Sequence, residues 1–132
     1  MPIHVELVSP EQIVFEGEAD LVIVRTTTGE MGFQPGHVPF VGVLNVAEAR
    51  LQMSDGTRQS IAVHRGFVEL ANDHLTILSD VAEMAADIDA GRAQEAKARA
   101  EQAVAADAED AEAAAALRRA NVRLDVATKA SA

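Results

Sequence analysis

The sequence predicts a mainly β fold with a helical end: an antiparallel β-sandwich or flattened barrel over residues 1–84, then a two-helix antiparallel hairpin over residues 85–132. Three observations predict it. Up to Ser79, short β-forming runs follow one another with turn residues between them and no helical period. The four phenylalanines (Phe15, Phe33, Phe40, Phe67) and the four prolines all precede residue 70, which places the core in the first two thirds. From Ala85 onward 20 of 48 residues are alanine, the strongest helix former.

The β runs read, in order, "IHVELV" (3–8), "IVFEGEA" (13–19), "LVIVRTT" (21–27), "FVGVL" (40–44), "ARLQM" (49–53), "QSIAVH" (59–64), "GFVELA" (66–71) and "HLTILS" (74–79). Asp55-Gly56 and Asn72-Asp73 stand where tight hairpins need positive φ or Asx turns. Leu75, Ile77 and Ser79 alternate with Thr76 and Leu78, a half-buried strand pattern. Eight such runs without intervening helices imply antiparallel layers.

In the tail, Asp87 is expected to cap the first helix, with Asp89 in its first turn facing the helix dipole. The acidic stretch 107–112 marks the break between helices. In the second helix Ala113, Leu117, Ala120, Leu124 and Ala127 step by four and three, the seam of an antiparallel pair. That seam buries little: even a fully buried leucine contributes only about 1.5–3 kcal/mol. Gly91, inside the first helix, costs about 1 kcal/mol relative to alanine. A hairpin so composed is expected to leave its docked position readily.

Composition narrows the function classes. Eleven Lys and Arg against 21 Asp and Glu give a net charge of −10, which argues against a nucleic-acid partner. The charge is uneven: residues 1–84 carry 4 basic and 12 acidic side chains, whereas 115–132 has Arg118, Arg119, Arg123 and Lys129 against Asp125 alone. There is no cysteine, hence no disulfide or thiolate metal site. "MPIHVELV" lacks the features of a signal peptide, and no apolar stretch approaches a membrane span, so a cytoplasmic protein is expected. His4, His37, His64 and His74 lack metal-ligand spacing, no serine sits in a nucleophile motif, and no Walker-type loop is present. No catalytic activity is expected of the chain itself.

The most specific stretch is "TTTGEMGFQPGHVPFVGVL" (26–44). Its pattern G-E-x-G-x-x-P-G-H-x-P resembles the signature loop of the epsilon subunit of the F-type ATP synthase. "VSPEQIVFEGEAD" resembles that family's opening hairpin, "HRGFVELANDHLTILSD" its closing one, and "DIDAGRA" the head of its helical hairpin. The resemblance covers nearly the whole chain in the right order. It implies a ten-stranded flattened sandwich followed by two helices. It also implies a non-catalytic rotor subunit joining the gamma subunit to the c-ring loops, bound to the cytoplasmic face of the membrane only through the complex. Carried onto this sequence, Glu30 and His37 take the c-ring contact positions. Arg65 stands where the family commonly has a second small residue, on a surface expected from the resemblance to face gamma.

The resemblance further implies a tail that inhibits ATP hydrolysis by extending along gamma toward the alpha and beta subunits, with Arg118, Arg119 and Arg123 meeting acidic groups there. No cofactor is required, but some relatives bind ATP without hydrolysing it and so hold the hairpin closed. Their motif corresponds to Ile88, Asp89, Arg92 and Ala93 here, with Arg99, Arg119, Arg123 and Glu83 completing the set. Residues 88, 89, 92, 96 and 99 fall on one helix face by the three-and-four rule, and arginine forks suit phosphate. Gly91, Gln94 and Ala98 depart from the relatives' pattern. Taken alone, Asp89 and Arg92 read equally as a first-turn aspartate and an i,i+3 ion pair. A different class, a stand-alone sandwich that binds a ligand or acts as a scaffold through an oligomerising tail, is compatible with the fold but leaves loop 29–39 unexplained.

Overall fold

The computed structural model describes residues 2–130; residues 1 and 131–132, at the outer ends of the two expected segments, lie outside the described residues. Nine strands come first: β1 (Ile3–Val8), β2 (Ile13–Thr26), β3 (Gly29–Phe33), β4 (Phe40–Leu44), β5 (Ala47–Met53), β6 (Arg58–Val63), β7 (Gly66–Ala71), β8 (His74–Leu78) and β9 (Ala82–Met84). A single 3₁₀ turn (Ala85–Asp87) leads to helices α1 (Ala90–Ala106) and α2 (Ala111–Ala130).

The expected sandwich is present, with nine described strands rather than the ten the resemblance implies. The runs 13–19 and 21–27 form one strand. β2 pairs with β1 through its first half and with β3 and β5 through its second. Its register against β5 shifts between Ala19 and Leu21. An unpaired residue there bends the strand, so that one segment serves both layers. β3, which the loop residues obscured, and the short β9 are additions to the eight runs. One pairing departs from the antiparallel expectation: β1 lies parallel to β8, with His4 opposite His74. The remaining pairings are antiparallel, in the row β1-β8-β7-β4-β2-β5-β6-β9.

Strand alternation sends Ile3, Val5 and Leu7 inward to meet Val22, Val24, Phe33, Leu51, Ile61, Val68, Leu70, Leu75 and Ile77, all essentially inaccessible. The expected turns form as the residues demand. Asn72 and Asp73 both take left-handed φ (52° and 59°), the geometry of a type I′ hairpin turn. Gly56 (φ 91°) closes the other hairpin by donating to the Met53 carbonyl.

The hairpin packs α2 against α1, the 3₁₀ turn, β5 and β6. Ala113 and Ala120 are buried in the seam as expected, while Leu117, Leu124 and Ala127 are only half-buried. The anchor is Val126, fully buried and absent from the expected seam. Among the described residues it is the only buried hairpin side chain larger than alanine.

Candidate functional site

The loop 29–39 is built from β3 and the turn that follows. Glu30 sits on β3 opposite Arg25 and accepts from Arg50 (2.8 Å) and Arg25 (3.3 Å). His37 packs edge-on against buried Phe33, with ring centroids 5.0 Å apart, and donates from Nδ1 to the Val38 carbonyl at 2.7 Å. The two expected contact residues therefore lie toward opposite ends of β3 rather than side by side. Gly36 (φ 86°) donates its N–H to the Asp73 carboxylate at 2.7 Å, which ties the loop to the β7–β8 turn. Beyond it Val38 is exposed.

A second group joins the sandwich to the hairpin. Glu83 on β9 accepts from Arg123 Nε of α2 at 2.6 Å and from His64 Nε2 at 2.9 Å. His64, at the end of β6, is buried, and its Nδ1 has no partner among the described residues. Burial pushes His64 below its ordinary value, the Arg123 charge adds to this, and the Glu83 hydrogen bond opposes it. Glu83 is also lowered: burial works to raise it, but the hydrogen bonds from Arg123 and His64 together reverse that. The result is a neutral imidazole donating to a carboxylate that an arginine neutralises.

The start of α1 corrects one expectation. Asp89, not Asp87, is the N-cap, and its Oδ1 accepts from the Arg92 backbone N–H at 3.0 Å. Asp87 instead lies in the 3₁₀ turn. Ile88 and Asp89 are thus outside the helix, so they do not share a helical face with Arg92 and Arg99. Gly91 is likewise in the first turn rather than mid-helix, and a Cβ there would come within 3.3 Å of the capping oxygen.

The expected nucleotide residues fall into two sets. Glu83 and Arg123 are bonded to each other, and Arg119, one turn away, donates to Glu112 at 2.8 Å. Ala93 is buried in the α1–α2 seam, and Ile88 is half-buried. Arg92 and Arg99 are exposed and have no ion pair among the described residues, and the same holds for Arg118. Arg118 and Arg119 line a cleft of about 370 Å³ with His64, Arg65, Asp80 and Glu112. A larger cleft of about 710 Å³ is lined by Arg50, Arg58, Ala85, Ala86 and Lys129. Neither is lined by Arg92 or Arg99.

Sequence reasoning missed an apolar face. Val41 and Val43 of β4, Phe67 of β7 and Leu78 of β8 are all exposed, and Val43, Phe67 and Leu78 stand in direct cross-strand register. Alternation within "FVGVL" and "GFVELA" was the available signal, but it cannot say which strands are neighbours.

Comparison with known proteins agrees with this architecture. Residues 2–85 match the family described as ATP synthase, Delta/Epsilon chain, beta-sandwich domain. The chain is 44% identical over 126 residues to the ATP synthase epsilon chain of Shouchella clausii, covering 95% of this chain and 94% of that one. Its fold resembles a chain of the Euglena gracilis mitochondrial ATP synthase (OSCP/F1/c-ring), with a TM-score of 0.72 at 19% identity over 98% of this chain and 81% of that one. It also resembles a chain from the central stalk/c-ring of the Tetrahymena thermophila mitochondrial ATP synthase, with a TM-score of 0.57 at 15% identity over 100% and 98%. With a family match over the sandwich and a close relative spanning the helices as well, the chain belongs to the ATP synthase epsilon-chain family.

Proposed function

We propose that the chain is a non-catalytic rotor subunit of the F-type ATP synthase, seated on the gamma subunit through its sandwich and facing the c-ring loops with loop 29–39. The observation that carries this reading is the exposed row Val43–Phe67–Leu78, with Val41 beside it. A cluster of large apolar side chains left open on a sheet face is characteristic of a protein–protein interface. Loop 29–39, with exposed Val38 at its tip and its backbone tied to Asp73, offers a shaped surface for a second partner, and Glu30 and His37 are its polar contacts. Phe67→Glu leaves the inward side of β7 unchanged and places a charge in the middle of the row. The expected outcome is a folded chain that no longer co-purifies with gamma; undiminished co-purification rejects the interface.

The helical hairpin serves as a switch. In its contracted form α2 is held by the Glu83–Arg123 pair and Val126 over a seam of alanines. Released, the segment carrying Arg118, Arg119 and Arg123 extends along gamma toward the alpha and beta subunits, where its cations meet acidic groups and hold back ATP hydrolysis. ATP acts as a regulatory ligand of the contracted form. Arg92 and Arg99, unpaired among the described residues, are its phosphate-binding candidates, and the second carboxylate oxygen of Asp89 is left for a base amino group. Glu83, Arg119 and Arg123 are already bonded through Oε1, one terminal nitrogen and Nε respectively, so their remaining oxygen and N–H groups are what they offer the ligand. The complex, and this subunit with it, lies at the cytoplasmic face of the membrane; no described helix is long and apolar enough to cross it.

A further inference from the structure

On the outer face of β1 and its two neighbours, two imidazoles and three carboxylates converge. The register dictates it: His4 stands opposite Glu18 and Glu6 opposite Glu16 across the β1–β2 pair, and His4 opposite His74 across the β1–β8 pair. Ile3, Val5 and Leu7 point into the core, so His4 and Glu6 share the opposite face. His4 Nε2 lies 3.0 Å from Glu16 Oε2 and 3.5 Å from Glu6 Oε1, and His74 Nε2 lies 3.3 Å from that same Glu6 oxygen.

We propose that this face is a divalent metal site of zinc type, with His4, Glu6, Glu16 and His74 as ligands and Glu18 orienting His4. Three features carry it. First, the spacing fits. Ligand atoms at about 2.0–2.1 Å from a tetrahedral zinc ion are about 3.3–3.4 Å apart, and the separations above bracket that value. His4, Glu6 and Glu16 each offer a ligand atom within 4.8 Å of the others; His74 Nε2, 3.3 Å from Glu6 Oε1, stands outside that group and completes the set by turning toward it. Second, His4 is already arranged as a ligand. Its Nδ1 donates to Glu18 Oε1 at 2.7 Å, and its Nε2 is hydrogen-bonded to Glu16 Oε2 at 3.0 Å, so an ion that replaces the Nε2 proton finds the nitrogen and the carboxylate already facing each other. A carboxylate on the far nitrogen is how metal-binding histidines are commonly oriented. Third, among the described residues Glu6, Glu16 and Glu18 have no lysine or arginine partner; the side chains that pair with them are the two imidazoles. A dication satisfies the Glu6 and Glu16 carboxylates at once while Glu18 stays on His4, and the mixed imidazole–carboxylate donor set suits zinc better than calcium or magnesium. Such an ion joins β2, β1 and, through His74, β8, across the one parallel pairing among the described residues.

The competing occupant is a proton: a charged His4 held among the glutamates requires no metal. Calorimetric titration of the full chain with zinc chloride in chelator-free buffer separates the two. The expected result is saturable binding of one ion per chain. Glu18→Gln weakens it about 10–100-fold, and His4→Gln and His74→Gln weaken it further, with each variant shown folded by circular dichroism. Cobalt(II) in place of zinc gives the intense visible bands of a four-coordinate ion, and these disappear in His4→Gln. Absence of saturable binding, or zinc binding of equal strength in the folded His4→Gln and His74→Gln variants, overturns the site.

Discussion

His64 shows how much a single residue depends on distant parts of the chain. Alone it is one histidine at the end of a β run; folded, it is buried under α2 and bonded to Glu83, which in turn holds Arg123. The pH dependence follows from both shifts. His64 has a folded pKa below its ordinary 6.5, so the undocked state takes up the proton first. Its contribution to docking is complete above about 6.5 and is lost as pH falls from there through the lowered value. Glu83, lowered from 4.5, contributes above that value and loses its contribution as pH falls through the depressed one. Both act in the same sense, so acid loosens α2. Hydrogen exchange of α2 amides is expected to accelerate relative to β1 and β8 as pH drops from 7 to 5, after correction for the intrinsic rate. Arg123→Ala should weaken docking by about 1.5–3 kcal/mol, the loss of a hydrogen bond between charged groups. Equal acceleration in α2 and the strands counts against the latch. None of this was legible locally, because residues 64, 83 and 123 meet only once β6, β9 and α2 are in place. Arg65 is a different case. Its departure from the family's small residue was visible, and the structure gives its physical content: φ is 143° at a non-glycine residue. The adjoining Gly66 (φ 155°) admits no side chain, since a Cβ would lie 2.0 Å from the Leu78 carbonyl oxygen.

At the scale of elements, the hairpin is a pair of good helices with a poor interface. Ala93, Ala100, Ala113 and Ala120 bring the helices close and bury little area; among the described residues Val126 is the one buried hairpin side chain with more bulk than alanine. Fully burying a valine contributes about 1.5–3 kcal/mol, and the charged latch a similar amount, so a ligand of ordinary affinity shifts the balance. At 100 times its dissociation constant ATP would add about 2.7 kcal/mol to the contracted form. Titration of the chain with ATP should move the Arg92 and Arg119 amide signals and slow α2 exchange about 100-fold; unmoved signals at millimolar ATP reject the nucleotide site. The helices themselves were evident from alanine content and period. Their cap and anchor were not. Asp87 and Asp89 are both acceptable caps, and the 3₁₀ turn at Ala85–Asp87 moves the helix start past the first. Leu117 and Leu124 match an ideal seam, but the sandwich lies beside α2, so Val126 becomes the buried position.

Across the whole molecule, the main hydrophobic cluster runs from Ile3 to Ile77, with Ala82 and Met84 at its margin, and among the described residues includes none of α1 or α2. A chain ending at Asp87 therefore retains its entire core. It should unfold cooperatively and still assemble with gamma, while ATP hydrolysis by the assembled complex rises. An ATPase rate equal to that of the complex with the full-length subunit rejects inhibition by the tail, and loss of cooperative unfolding rejects the independence of the sandwich. The division into sandwich and hairpin was readable because local period and turn chemistry differ so sharply on the two sides of residue 84. The family was readable because its motifs occur in order along the chain. What pairing alone decided is which side chains share a surface: Val43 with Phe67 and Leu78, His4 with His74, Glu83 with Arg123. Alternation tells a residue which side of its own strand it occupies. Only the register of strands and helices distant in sequence tells it what stands beside it, and the exposed apolar row, the Glu83–Arg123 bond and the His4 cluster are all consequences of register.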